Sequence, residues 1–128
     1  MITLTEEQYQ LIQQYTELVR TVNEAFTYVV TSFDDLPYTE GDTVLSDIFT
    51  ALQQLSGANS QLTVLFKDLD AVNESIMQFS QVVEGVDKLD SVWGNVEARQ
   101  QFVRATLAPA YTSWSDRVLH ILQPYAVA

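Results

Sequence analysis

Apolar residues recur with a helical period along almost the whole chain. Leu11, Tyr15, Leu18, Val22, Ala25 and Val29 are spaced four, three, four, three, four, and Ile12, Val19, Phe26 and Phe33 widen the stripe. A stripe that broad marks a core-facing helix of a bundle. Thr5-Glu6-Glu7-Gln8, just before it, predicts a capping box with Thr5 as N-cap and Gln8 reaching back. Glu6 and Glu7 also sit where the positive end of the helix dipole favours them. Asp34-Asp35-Leu36-Pro37-Tyr38 predicts the end of this helix, because Leu36 precedes a proline and is pushed out of helical geometry.

A second helix is expected from Gly41-Asp42, with the stripe Leu45, Ile48, Leu52, Leu55, Asn59, Leu62, Phe66 and Leu69. A glycine inside a helix costs about 1 kcal/mol against Ala. The register nevertheless passes Gly57 without a skip, which favours one continuous helix over a break at Ser56–Gly57. Lys67-Asp68-Leu69-Asp70 reads as the next turn. A third helix over about residues 71–84 would place Val72, Ile76, Phe79, Val83 and Val86 on one face, with Gly85 as its stop. The fourth begins after Asp90-Ser91, with Trp93, Val96, Phe102 and Val103 inward, then Leu107, Tyr111, Trp114, Val118, Ile121 and Leu122. Pro109 removes a backbone donor inside it and clashes one turn back, so this last helix is expected to be kinked or split near Pro109. Pro124 is expected to end it. No strand pattern, internal repeat or low-complexity segment interrupts the series. The expectation is an all-α fold, an antiparallel four-helix bundle with long helices, as a single helical domain over 1–128. A heptad coiled coil fits less well, because the stripes are too broad and the aromatics too many.

Composition narrows the function classes. At 47% hydrophobic and 18% charged residues, the chain has the opposite balance to intrinsic disorder. It has no cysteine, which excludes a disulfide scaffold, a thiolate zinc site, an iron–sulfur cluster and a cysteine nucleophile. Its net charge is −11, from six Lys and Arg against 17 Asp and Glu. Nucleic acid and anionic membrane surfaces are repelled by that charge, whereas a basic partner is not. The N-terminus has neither the basic start nor the apolar run of a secretory signal. The longest uncharged stretch, Ile48 to Phe66, is long enough to cross a bilayer. It carries Gln53, Gln54, Ser56, Asn59, Ser60 and Gln61, which hydrocarbon could not satisfy. These features predict a cytoplasmic protein that binds neither nucleic acid nor membrane.

Candidate chemistry is sparse. Di-metal bundles need two Glu-x-x-His sets on facing helices plus two further Glu. This chain has one histidine, His120, with Asp116 four residues before it, a spacing that predicts a hydrogen-bonded surface pair. No Gly-x-Ser-x-Gly elbow and no glycine-rich phosphate loop occurs. The acids Asp34, Asp35, Glu40, Asp42 and Asp47 lack calcium-loop spacing, and Pro37 interrupts them. They read as a solvated turn and a helix N-terminus. No catalytic residue, metal or cofactor is therefore expected, and the chain is read as non-enzymatic.

The oddest feature is the uncharged stretch itself. The polar face of helix two offers Thr50, Gln53, Gln54, Ser56, Gly57, Ser60 and Thr63. Small neutral residues let a partner approach without desolvating charge, as in interface cores. Burial of this face within its own bundle is the alternative. Gln53, Gln54, Ser56, Gly57, Ser60 and Thr63 are the candidate interface, facing either a protein partner or a second copy in a homodimer. Trp114 and Tyr111 read as core, with Tyr125 exposed.

Leu4-Thr5-Glu6-Glu7-Gln8-Tyr9 and Leu45-Ser46-Asp47-Ile48-Phe49-Thr50-Ala51-Leu52 resemble segments of an uncharacterised family of small acidic helical proteins from Gram-positive bacteria. The likeness covers about the first half of the chain. It implies a helical fold and a cytoplasmic address, and no functional residue. The function expected from sequence is thus a small helical protein–protein interaction module. The alternative is a secretion or flagellar export chaperone that shields a helical client segment.

Overall fold

The computed structural model describes residues 3–34 and 41–126, with Gly41 and Asp42 as helical backbone only. Among these residues the protein is all-α. Its elements are α1 (Glu6–Ser32), α2 (Gly41–Leu65), α3 (Asp70–Met77), α4 (Ser80–Asp90), α5 (Val96–Phe102), a π-helical turn (Val103–Leu107) and α6 (Ala108–Ala126).

The capping box at the start of α1 is formed. Thr5 Oγ1 accepts from the Gln8 amide at 3.1 Å, and Gln8 Oε1 accepts from the Thr5 amide at 2.9 Å. Phe33 closes the helix. Residues 35–38 of the expected stop, and the acids Asp35 and Glu40, lie outside the described residues, as does the side chain of Asp42. Because α1 packs on both α2 and α6, its buried centre lies between the two contacts. Ile12, Val19, Phe26 and Phe33 are buried with Tyr15, Val22 and Val29, while Leu11, Leu18 and Ala25 are only half-buried. Helix α2 is continuous through Gly57 and buries Leu45, Ile48, Leu52, Leu55 and Leu62 as its period requires.

The third expected helix is corrected most. It breaks at Gln78–Phe79, and α4 then runs on to Asp90. The break shifts the inward set from Val72, Ile76 and Phe79 to Val82, Gly85 and Leu89. Gly85 is no stop. It is buried in mid-helix, where a Cβ would come within 3.1 Å of Leu107 Cδ1. The missing side chain lets α4 sit close against the π turn.

The fourth expected helix starts late, at Val96, capped by Asn95 Oδ1 accepting from the Ala98 amide at 3.0 Å. Trp93 and Val96, expected inward, are exposed. Pro109 is the second residue of α6, directly after the π turn, in which the Ala108 amide donates to the Val103 carbonyl. Pro124 does not end α6. A proline so near the terminus removes one hydrogen bond only. The last turn is also tied down, because the Tyr9 hydroxyl donates to the Ala126 carbonyl at 3.1 Å.

Aromatic rings fill the core between α1, α3 and α6. Phe26 meets Tyr111 at 5.2 Å between centroids, Tyr111 meets Trp114 at 5.5 Å, and Trp114 meets Phe79 edge-on at 4.6 Å. Their polar ends are satisfied, since the Tyr111 hydroxyl donates to the Val19 carbonyl and Trp114 Nε1 to the Ser75 carbonyl. Tyr125 is half-buried against Phe66, not exposed. Burial pushes the Tyr15 and Tyr111 hydroxyls well above their ordinary range, and Tyr111 adds to the rise at Tyr15. Among the described residues, no helix is long and apolar enough to cross a membrane.

Candidate functional site

Helix α2 packs on α1 and α3, whereas α4 packs on α6 and the π turn. The facing surfaces of α2 and α4 therefore part, and a groove opens between them. At one end it is lined by Ser46, Phe49 and Trp93, in the middle by Gln53, Val82 and Val86, and at the other end by Ser60, Thr63 and Met77. Phe49, Ser56, Phe79, Val83 and Val86 are each shared between neighbouring sections, so the groove is continuous.

The wall opposite α2, formed by the end of α3, by α4 and by the turn after it (the α4 wall below), carries apolar side chains open to solvent. Met77 is 66% exposed, Val83 42% and Trp93 37%, which is unusual for such residues in one place. The break at Gln78–Phe79 brings Val83 outward, while Val86 stays half-buried against the core. Trp93 is held in position. The Arg99 guanidinium stacks 4.6 Å from its ring centre and donates to its carbonyl at 2.8 Å, and Phe49 packs 5.8 Å away.

The α2 wall is the uncharged face singled out from the sequence. Gln53, Ser56, Ser60 and Thr63 line the groove, and only Thr63 is even half-buried. Burial within the bundle is thus not the fate of this face. Its hydroxyls turn back onto their own helix, Ser60 donating to the Ser56 carbonyl and Thr63 to the Ser60 carbonyl. Gln54 and Gly57 are exposed but do not line the groove, and the space around Gly57 is open. At the floor lies Asn59, 9% exposed. Its Oδ1 accepts from the Tyr15 hydroxyl, and its amide nitrogen has no hydrogen-bond partner among the described residues. Among the described residues, three charged side chains line the groove, Glu84, Asp87 and Asp90, and all are acidic.

A second depression between α1 and α6 is crossed by bonds instead. Arg104 pairs with Asp34 at 2.9 Å, and Thr112 donates to Asn23. His120 and Asp116 are both exposed and share no hydrogen bond, contrary to the expected pair. Among the described residues, no three His, Cys, Asp or Glu side chains converge as metal ligands do.

Four of the six residues singled out from the sequence, Gln53, Ser56, Ser60 and Thr63, line the groove, and the α4 wall was not singled out. Two stripes compete over residues 79–89: Phe79, Val83, Val86 continues the earlier register, and Val82, Gly85, Leu89 starts a new one. The polar pair Gln78 and Ser80 flanking Phe79 was the available sign of the change.

Among the described residues the chain is all-α, with an open groove between α2 and α4. More narrowly, the chain belongs to the family described as Domain of unknown function (DUF8042), whose model matches residues 10–117. The match includes the resembling segment Leu45–Leu52, begins just after Tyr9, and extends well beyond the first half. The chain is also similar to the uncharacterized protein YvzG of Bacillus subtilis (strain 168), at 22% identity over 121 residues, covering 94% of this chain and 96% of that protein. An uncharacterised family with a Gram-positive relative is what the sequence resemblance implied. Neither name carries a function, and neither favours an export chaperone. No solved structure matches the chain.

Proposed function

We propose that this protein is a non-enzymatic docking module, and that the groove between α2 and α4 receives a helical segment of a protein partner. The observation that carries the reading is the pairing of two unlike walls. Exposed apolar side chains at Met77, Val83 and Trp93 face a wall of small, uncharged residues at Gln53, Ser56, Ser60 and Thr63. Apolar grooves of this kind take the apolar face of an amphipathic helix, and interface cores avoid charge. The scaffold is read as an antiparallel four-helix bundle whose last helix is kinked or split near Pro109. Tyr9–Ala126, Tyr15–Asn59 and Arg104–Asp34 each join an early part of one helix to a late part of its neighbour. The absence of cysteine, the single histidine and the net charge of −11 support a cytoplasmic protein that is not an enzyme and does not bind nucleic acid or membrane.

A photo-crosslinking residue placed at Val83, with Tyr28 as the control position, tests the reading in native cytosol. A discrete adduct is expected from Val83 and not from Tyr28. Adding Gln53→Lys and Ser60→Lys should abolish it without loss of helix content. Equal labelling from both positions, or none from Val83, rejects the groove as a docking site.

A further inference from the structure

We infer that the occupant of the groove is a basic amphipathic helix from a different protein, with a polar acceptor side chain in the middle of its apolar stripe. This rests on the docking reading above and adds the chemistry of the partner. Three features of the groove select it.

The first is length. The lining runs along α2 from Ser46 to Thr63, which at helical rise is about 25 Å, the length of a helix of about 17 residues. Its walls repeat along that distance, with Trp93, Val86, Val83 and Met77 on one side, so an apolar stripe of similar length covers them.

The second is charge. Glu84, Asp87 and Asp90 line the groove from α4, no Lys or Arg among the described residues lines it, and α2 is uncharged from Ile48 to Leu65. One flank of the occupant therefore meets three carboxylates, and the other meets none. Lys or Arg on the first flank is attracted, and acidic residues there are repelled. A second copy of this chain brings its own three carboxylates and a charge of −11 to the same place. A two-fold pair through this groove would set like charges together. The observations thus favour a foreign basic helix over self-pairing.

The third is the floor. Asn59 is nine-tenths buried, its carbonyl end is held by Tyr15, and its amide nitrogen lacks a partner. Once an occupant excludes water, that donor needs an acceptor. A Gln, Asn, Ser or Thr in the stripe supplies one, where an unbroken row of Leu does not.

The test uses the full chain and three synthetic helical peptides of about 18 residues. All carry the same Leu stripe with one central Gln, and they differ only in one flank, which is Lys, Gln or Glu. Backbone amide shifts of the labelled protein locate binding, and Trp93 fluorescence follows it. The Lys peptide should bind at the groove at least about tenfold more tightly than the Gln peptide, weaken with added salt, and lose about that factor on Glu84→Lys, Asp87→Lys and Asp90→Lys together. Circular dichroism of this exposed triple variant checks that it folds, and the peptide series on the parent chain stands without it. Equal binding of the Lys, Gln and Glu peptides at the groove overturns the charge inference and leaves the docking reading intact. No shifts at the groove with any peptide overturn both. Sedimentation showing a dimer of the parent, lost on Val83→Glu, replaces the foreign helix with a second copy and overturns this inference alone.

Discussion

The seam between α1 and α6 and the seam between α2 and α4 are built from similar residue types, yet they are finished differently. Across the first, polar side chains bond to the opposite helix. The Tyr111 hydroxyl reaches the Val19 carbonyl at 2.8 Å, Asn23 reaches Ser115 at 2.7 Å, and Tyr9 reaches Ala126. Across the second, no hydrogen bond joins the two helices among the described residues, and the hydroxyls of Ser60 and Thr63 are spent on their own turns. The first seam has named its partner. The second has satisfied its polar groups locally and left its apolar groups uncovered, which is the condition of a surface that can gain a partner without first giving one up.

The largest test of this contrast is truncation on each side. Phe26→Ala, in the sealed seam, should cost about 3–5 kcal/mol, the usual loss for a buried aromatic. Met77→Ala, on the groove wall, should change stability by less than about 0.5 kcal/mol. Chemical denaturation of both reads the difference. A comparable cost at Met77 would mean that the groove is closed in the folded protein.

Alkali should act on the sealed contacts. The folded chain holds Tyr15 and Tyr111 protonated at pH values where the unfolded chain ionises them. Their folded pKa values are raised, so the stability they contribute is complete below the ordinary tyrosine pKa of about 10 and falls as pH climbs above it. Urea midpoints measured from pH 8 to pH 11 should hold until about pH 10 and then drop. Tyr111→Phe should reduce the drop, and an unchanged drop would place the sensitivity elsewhere.

The smallest test compares two mid-helix glycines. Gly57 lies on the exposed side of α2 with open space around it, so Gly57→Ala should raise stability by about 0.5–1 kcal/mol. Gly85 lies where α4 meets the π turn, and a methyl there presses on Leu107. Gly85→Ala should gain less or lose stability, and in a Leu107→Ala background the difference between the two glycines should disappear. Equal gains at both positions would show that the close approach at Gly85 is not needed.

Much of this was legible before the fold was known. The capping box at Thr5–Gln8 and the unbroken α2 register could be read because each depends on neighbours in sequence alone. The stripe of α1 was read about one residue out of centre, with Leu18 taken for core, because two packing partners share that helix and sequence does not say where each lies. The α2 wall stood out by its lack of charge. The α4 wall did not, because Val83 and Val86 are apolar at a helical spacing from Phe79. Only the turn at Gln78–Phe79, with α4 docked on α6 and the π turn, decides that Val83 faces outward and that Val86 lies half-buried at the rim.

The π turn at Val103–Leu107 has a consequence in residue counting. Arg99, Val103, Leu107 and Tyr111 are all buried and lie four apart. Twelve residues overshoot three turns of an α-helix by about one residue, so a straight helix would carry Tyr111 about 120° away from the side that Arg99 faces. A π turn is an α-helix that has taken in one extra residue, and it absorbs the overshoot. The segment is therefore a place where the chain can lose a residue and keep both of its flanks in phase. Deleting Ala105, which is exposed, should leave a folded protein with α6 still inward. Deleting Ser113, about two turns further on, should rotate Trp114, Val118 and Leu122 by about 100° off the core and unfold it. Thermal melts of the two deletions, equal in length and composition but for one small side chain, would show the chain keeping a spare residue in its last helix.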